Sequence, residues 1–214
     1  MPSRTPFHQR QLTASVHQRA RHGIRPAAAY RRRGEGAMRS TDFAAPEVWH
    51  PPVGRDDPKY VVQSAGEGFL HPVSPQEITE RLADLAPEMV APLEVVQLST
   101  MTRKRKLFPC YGMQWGPNVY LYPIEESLIE VYSRSPKPQQ IIEAKMFGGV
   151  WSQHGAQWHL TWTEAAIKDF YLNNVLIHEL GHVLDTRNTN SDARERYAIW
   201  FATEYGYRAS RGRR

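Results

Sequence analysis

Residues 175–185 read Val-Leu-Ile-His-Glu-Leu-Gly-His-Val-Leu-Asp. The two histidines of this stretch, His178 and His182, are four positions apart, so a helix places both on one face. The apolar residues around them predict that the helix is buried. The spacing His-Glu-x-x-His is typical of zinc sites on helices. A structural pair of core histidines is the alternative, but it leaves the charged Glu179 in the same buried helix without an obvious partner.

The position of Glu179 indicates the chemistry of this site. On a helix it is rotated by about 100° from His178, so its carboxylate reaches a water beside the metal rather than the metal itself. Zinc lowers the pKa of such a water toward about 7. We therefore expect one Zn²⁺ bound by His178 and His182, with Glu179 as the general base that takes the proton of the attacking water.

Other helices and several strands are predicted around this motif. The motif helix is expected to begin at Glu164, after the N-cap Thr163, and a last helix to run from near Ser191 to about Tyr205. A capping box at residues 74–77 predicts an earlier helix. Strands are predicted at 93–98, 106–111, 118–122, 145–151 and 157–162, and the basic cluster 103–106 is expected to form a solvated hairpin turn.

This order of elements resembles the zincin metallopeptidases, in the small form of the gluzincin type. The resemblance covers residues 75–207 and implies an α+β zincin-like domain with a small mixed β-sheet, an active-site helix and a C-terminal ligand helix. It also implies a third zinc ligand, because several such families take it from the pattern Glu-x-x-Ala-x-x-Phe-Ala on the following helix. This chain has Glu195, Ala198, Phe201 and Ala202 in those positions, with Ile199 where the families often have Asp or Asn.

Helix geometry leaves three candidates for the third ligand, Glu195, Glu204 and Asp185. It favours Glu195, as the resemblance does. If the last two helices are antiparallel with a short connection, position 195 lies level with about 182, whereas Glu204 lies roughly 10 Å farther along the axis. Asp185 is one turn beyond His182, where a carboxylate that supports the ligands or ends the helix is favoured. Glu195 is preferred, and Glu204 and Asp185 stay open.

The predicted reaction is metal-assisted hydrolysis of a peptide bond. The substrate would be an extended peptide or protein, bound along the sheet edge by strand addition. Tyr197 and His159 are candidates for a transition-state helper that stabilises the oxyanion. Two other classes of function remain: a catalytically silent zincin-fold regulatory or interaction protein, and a nucleic-acid-associated protein of a mobile element, tethered by its basic N-terminal arm.

The charge of the chain is concentrated at one end. Residues 1–40 contain nine arginines and one acid, a net charge of +8, whereas residues 41–214 contain 18 basic and 21 acidic residues, a net charge of −3. A nucleic-acid-binding domain usually carries its positive charge on the folded surface, so nucleic acid is expected only through residues 1–40. We expect that segment to be a disordered Arg-rich extension. Gly34-Glu35-Gly36 can be encoded by a ribosome-binding sequence, which makes Met38 an alternative start to Met1.

The remaining segments complete the predicted organisation. Residues 41–74 are expected to be an extended lead-in and residues 208–214 a basic tail. With Cys110 as the only cysteine, an intrachain disulfide is impossible, and we expect a cytoplasmic location. No run of 18 apolar residues occurs, so no membrane-spanning helix is predicted. The oligomeric state stays open.

Overall fold

The computed structural model describes residues 46–54, 57–107 and 109–212, so the predicted disordered extension of residues 1–40 and its possible start at Met38 lie outside it. No helix of the described part is long and apolar enough to cross a lipid bilayer. The described chain is a mixed α+β structure with these elements: β1 (Lys59–Val62), β2 (Phe69–Leu70), α1 (Pro75–Ala83), α2 (Pro87–Val90), β3 (Val95–Leu98), α3 (Arg103–Leu107), β4 (Gly112–Trp115), β5 (Asn118–Leu121), β6 (Ile124–Glu125), β7 (Ile129–Tyr132), α4 (Pro138–Met146), β8 (Val150–His154), β9 (Gln157–Thr161), α5 (Glu164–Phe170), α6 (Leu176–Leu184), α7 (Ser191–Phe201) and α8 (Ala209–Arg211).

A mixed four-stranded sheet forms the main β structure and packs against the helix of the His-Glu-x-x-His motif. β1 pairs with β3 and β3 with β5 in parallel, and β4 pairs with β5 in the antiparallel sense. The strand order is therefore β1-β3-β5-β4, which makes β4 an edge strand within the described part of the chain. Two smaller antiparallel sheets, β2-β6 and β7-β9-β8, complete the β structure.

The helix α6 packs between the central sheet and α7, and it contacts β4, β5 and α7. Every residue from Leu176 to His182 is buried, as expected for a helix that is covered on all sides. A π-helical segment, Tyr171–Val175, connects α5 to α6 without a break in the helix. A second π-helical segment, Ala202–Arg208, follows α7 and packs against the first one.

The other face of the central sheet is covered by residues 46–54. The side chains of β5 alternate between the main core and a second cluster, which contains Tyr120 and Tyr122. His50 stacks on Tyr120 with ring centroids 6.1 Å apart, and the Tyr122 hydroxyl donates to Glu47 at 3.1 Å. Both faces of β5 are therefore buried, and its polar first residue, Asn118, satisfies its side-chain amide by donating to the backbone oxygen of His50 at 2.8 Å.

Most of the predicted elements are present. α1 begins at Pro75 and has the predicted capping box, in which Ser74 and Glu77 bond each other's backbone N–H groups. The strands predicted at 93–98, 118–122 and 157–162 correspond to β3, β5 and β9. The motif helix begins at Glu164 after the N-cap Thr163, as predicted, and ends at Leu184.

The strand predicted at residues 106–111 is wrong, because Arg103–Leu107 form α3 and β4 begins only at Gly112. The basic cluster is not a solvated hairpin turn either. Arg105 is 2% exposed, its Nε lies 3.0 Å from Glu47 Oε1, and its guanidinium lies 4.4 Å from the centroid of the Tyr122 ring. The long-range ion pair with Glu47 turns this part of the cluster inward.

The strand predicted at residues 145–151 is wrong in its first half. α4 extends to Met146, and β8 begins at Val150. The folded unit also begins earlier than the predicted boundary at residue 75, because β1, inside the predicted lead-in, pairs with β3. At the other end, part of the predicted basic tail belongs to α8, where Arg211 donates to Asp169 at 2.7 Å.

Candidate metal centre

Two helices supply three side chains that converge on one point. His178 and His182 project from α6, and Glu195 projects from the second turn of α7. One ligand atom of each residue lies within 4.8 Å of the others. His178 and His182 are almost completely buried and Glu195 is partly buried. The structure thus brings together the three residues that the sequence predicted as ligands.

The distances within this cluster fit a metal better than hydrogen bonds. His178 Nε2 lies 3.5 Å from Glu195 Oε2, and His182 Nε2 lies 3.5 Å from Glu195 Oε1. Hydrogen bonds between such atoms are about 2.7–3.2 Å long. Two ligands at about 2.0–2.2 Å from a tetrahedral zinc ion are about 3.3–3.6 Å apart. Each separation, one to each oxygen of Glu195, therefore has the length of a ligand–ligand edge in tetrahedral metal coordination.

The surroundings of His182 give a second test of the fit. Neither of its ring nitrogens has a hydrogen-bond partner among the described residues, although the side chain is only 6% exposed. A buried polar atom normally has such a partner, and an ion in the cluster would provide one for Nε2. The donor set of two imidazoles and one carboxylate is also a set that zinc accepts.

The protonation states of the cluster suit a cation. Burial lowers the pKa of His178, although Glu195 pulls in the opposite direction. Burial alone would raise the pKa of Glu195, but the contacts with His178 and His182 outweigh it and lower the pKa to about 2. A neutral imidazole and an ionised carboxylate are the forms in which these groups bind metals.

Glu179 lies in the same buried helix, next to the edge strand of the sheet. It is 0% exposed. Gly112, the first residue of β4, approaches so closely that a Cβ atom there would stand 3.0 Å from Glu179 Oε1 and 2.7 Å from Val175 Cγ1. The absence of a side chain at position 112 therefore makes the space that the Glu179 carboxylate occupies. This close contact was not predicted from the sequence, in which Gly112 carries no distinguishing local pattern.

The pattern Glu-x-x-Ala-x-x-Phe-Ala has a packing role that accounts for its spacing. A Cβ atom added at Gly181 of α6 would lie 3.1 Å from Ala198 Cα and 3.1 Å from Phe201 Cβ. Ala198 and Phe201 are one and nearly two turns after Glu195, on the face of α7 that touches α6. The small residues let the two helices approach closely, and this approach brings Glu195 to the histidines.

The two other candidates for the third ligand are engaged elsewhere. Glu204 forms an ion pair with Arg208 at 2.6 Å, outside the cluster. Asp185 is buried in the loop after α6, where it accepts hydrogen bonds from the backbone N–H and the side-chain amide of Asn188 at 3.1 and 3.0 Å. These contacts are those of a carboxylate that organises a loop.

The predicted helpers are not brought to the cluster by any contact among the described residues. Tyr197 packs against Trp200 and Phe201, and the guanidinium of Arg187 lies 5.7 Å from the centroid of its ring. His159 is on β9 and stacks on His154 with ring centroids 4.4 Å apart. Their role as transition-state helpers stays a prediction.

A further acidic side chain, Glu143, interacts electrostatically with Glu195 and was missed at the level of sequence. Burial raises the pKa of Glu143 on α4 to about 7, and the negative charge of Glu195 adds to this shift. The hydrogen bond that Gln139 Nε2 donates to Glu143 Oε1, 3.1 Å long, opposes it. No local pattern marks Glu143, because its position depends on a contact across 52 residues of sequence.

Comparison with family models, with curated proteins and with solved structures finds no match to this chain.

Proposed function

We propose that the described chain is a zincin-like metallopeptidase domain that binds one Zn²⁺ through His178, His182 and Glu195. The observation that carries the proposal is the convergence of these three side chains, with spacings of 3.5 Å between each histidine and the glutamate. The fully buried Glu179, the residue after His178, supports a catalytic rather than a structural metal. Three protein ligands leave one tetrahedral position open, which is the usual arrangement of catalytic zinc.

Each residue has a definite part in the proposed reaction. Bound zinc supplies a Lewis acid that polarises the scissile carbonyl and lowers the pKa of a water toward about 7. Glu179 takes a proton from the attacking water and then delivers it to the nitrogen of the leaving amine. His178, His182 and Glu195 stay fixed by the packing of α6 against α7. The apolar surroundings of α6 exclude bulk water, which strengthens the electrostatic interactions of these groups.

The proposed substrate is an extended peptide segment. β4 pairs with β5 on one side only within the described chain, and we place the peptide along its other edge. Its first residue, Gly112, lies against Glu179. A peptide added to this edge would therefore run past the general base, and its backbone would bind through main-chain hydrogen bonds.

A location in the cytoplasm stays a prediction.

The experiment that tests this proposal is hydrolysis by the zinc-loaded protein and by its Glu179→Gln variant. A mixed library of unstructured peptides, read by mass spectrometry, serves as substrate. We expect the variant to retain zinc and to lose at least about 100-fold in rate, which is the usual contribution of a general base. Glu204→Gln is the matched control, since it removes the same charge from an exposed ion pair.

Two results would contradict the peptidase proposal. Equal hydrolysis by wild type and Glu179→Gln would show that the activity does not depend on this site. Zinc-loaded wild type without any hydrolysis of the library would favour the catalytically silent regulatory or interaction protein.

A further inference from the structure

Arg194, the residue before Glu195, joins α7 to the end of α6. Its Nη2 donates to the backbone oxygen of His182 at 2.9 Å, and its Nη1 donates to the backbone oxygen of Asp185 at 2.9 Å. The side chain is only 14% exposed. One guanidinium therefore holds the main chain of one histidine of the cluster, while the next residue of its own helix supplies the carboxylate.

The carbonyl groups that Arg194 binds lack their usual helical donors. Asp185 N donates to Gly181 O, which is the last regular bond of α6, and Thr186 N turns back to Leu184 O. The backbone oxygen of His182 would otherwise accept from Thr186 N. A helix normally satisfies its last carbonyls with a glycine-type turn, with water or with a basic side chain. Here a basic side chain from the next helix does so.

The connection between the two helices is built around the same contact. Asp185 accepts from the backbone N–H groups of Arg187 at 3.3 Å and of Asn188 at 3.1 Å, and its Oδ2 lies 4.0 Å from Arg194 Nη1. Asn190 then caps α7 by accepting from Ala193 N at 2.8 Å. The loop is thus fixed at both ends, and Arg194 links them.

From these contacts we infer that Arg194 is the positioning residue of the metal centre: it sets the distance between Glu195 and His182. This inference rests on the proposed function, because it assumes that these residues bind zinc. Arg194 does not itself face the ion. It acts through the two main-chain oxygens, and Asp185 neutralises its charge and orders the loop.

The test compares zinc affinities of Arg194→Ala, Arg194→Lys and the control Arg196→Ala, measured by competition with a chromophoric chelator. Arg196 is exposed on the same helix and has the same charge. We expect Arg194→Ala to bind zinc about 10–100-fold more weakly than Arg196→Ala, as is usual for groups that orient ligands. Arg194→Lys keeps one donor and should recover part of the loss.

A second measurement separates positioning from general stability. Thermal unfolding is followed for each variant in the presence of a strong chelator and of saturating zinc. Positioning predicts that Arg194→Ala loses much of the rise in Tm that zinc gives to Arg196→Ala. A merely structural role would lower Tm equally in both conditions and leave the zinc affinity of the folded protein unchanged.

The outcomes are distinct from those of the peptidase test. Zinc affinity of Arg194→Ala within threefold of the control would overturn the inference. If that variant does not fold, Arg194→Lys is judged by the same criterion, and an affinity equal to the control overturns it. Weak binding by the Arg194 variants together with zinc-loaded but inactive wild type would support the positioning role and remove only the proposal of hydrolysis.

Discussion

Gly206→Ala should destabilise the protein strongly through the contact between the two π-helical segments. A Cβ atom at position 206 would stand 2.0 Å from Asn173 O. A carbon and a carbonyl oxygen are ordinarily at least about 3.3 Å apart, so the two segments would have to separate by about 1.3 Å. The backbone fixes the position of the Cβ atom, and Asn173 O is itself a backbone atom. Neither can therefore move away by a side-chain rotation.

The expected magnitude follows from two opposing effects. Overpacking of a buried contact costs about 1–3 kcal/mol or more, and the backbone contact places this case at the upper end. Alanine regains about 1 kcal/mol of helix propensity over glycine. The net loss is therefore about 2–3 kcal/mol, which lowers Tm by roughly 5–10 °C in a domain of this size.

The assay is thermal unfolding in a strong chelator, so that bound metal does not mask the loss. Gly212→Ala is the matched control, because Gly212 has a φ of −73° and its added Cβ would meet nothing closer than 3.6 Å. Unfolding of Gly206→Ala within about 2 °C of this control would contradict the predicted clash.

Two further predictions concern carboxylates outside the three proposed ligands. Because burial and the charge of Glu195 raise the pKa of Glu143 to about 7, its ionisation disfavours the folded state. Glu143→Gln should therefore stabilise the chelated protein at pH 8 by on the order of 2 kcal/mol. That advantage should disappear at pH 4, where Glu143 is protonated in both folded and unfolded wild type; an equal gain at both pH values would contradict it. Glu47→Gln should lower the free energy of unfolding by about 3 kcal/mol, because it leaves the buried charge of Arg105 without this anion. The control Glu88→Gln, at an exposed position, should change it by less than about 0.5 kcal/mol. Equal effects of the two substitutions in urea unfolding would contradict the role of the ion pair.

Local signals predicted the elements that have local causes. The capping box at Ser74 fixed the start of α1, and the four-residue spacing of His178 and His182 placed them on one face of a buried helix. The convergence of Glu195 on the histidines was also predictable, because a short loop between antiparallel helices limits which residue lies level with the pair. Its role as a zinc ligand stays a prediction.

The elements that were missed depend on contacts across the chain. Arg105 is buried rather than solvated because Glu47, 58 residues away, pairs with it in the interior. β1 is part of the sheet through its pairing with β3, and Tyr60, Val61 and Val62 do favour a strand, but the prolines before them predicted an extended lead-in. α4, in contrast, had local signals for its start: Pro138 at its first position and Gln140 at its third. The strand prediction at 145–151 instead gave more weight to the apolar residues that follow the helix.

The most direct test of the metal centre is the zinc content of the purified protein and three variants after dialysis against zinc-free buffer. We expect about one Zn²⁺ per chain in wild type and in Glu204→Ala, and a severe loss in both His178→Ala and Glu195→Ala. Full zinc retention in Glu195→Ala would contradict the third ligand, and full retention in His178→Ala would reject the site itself.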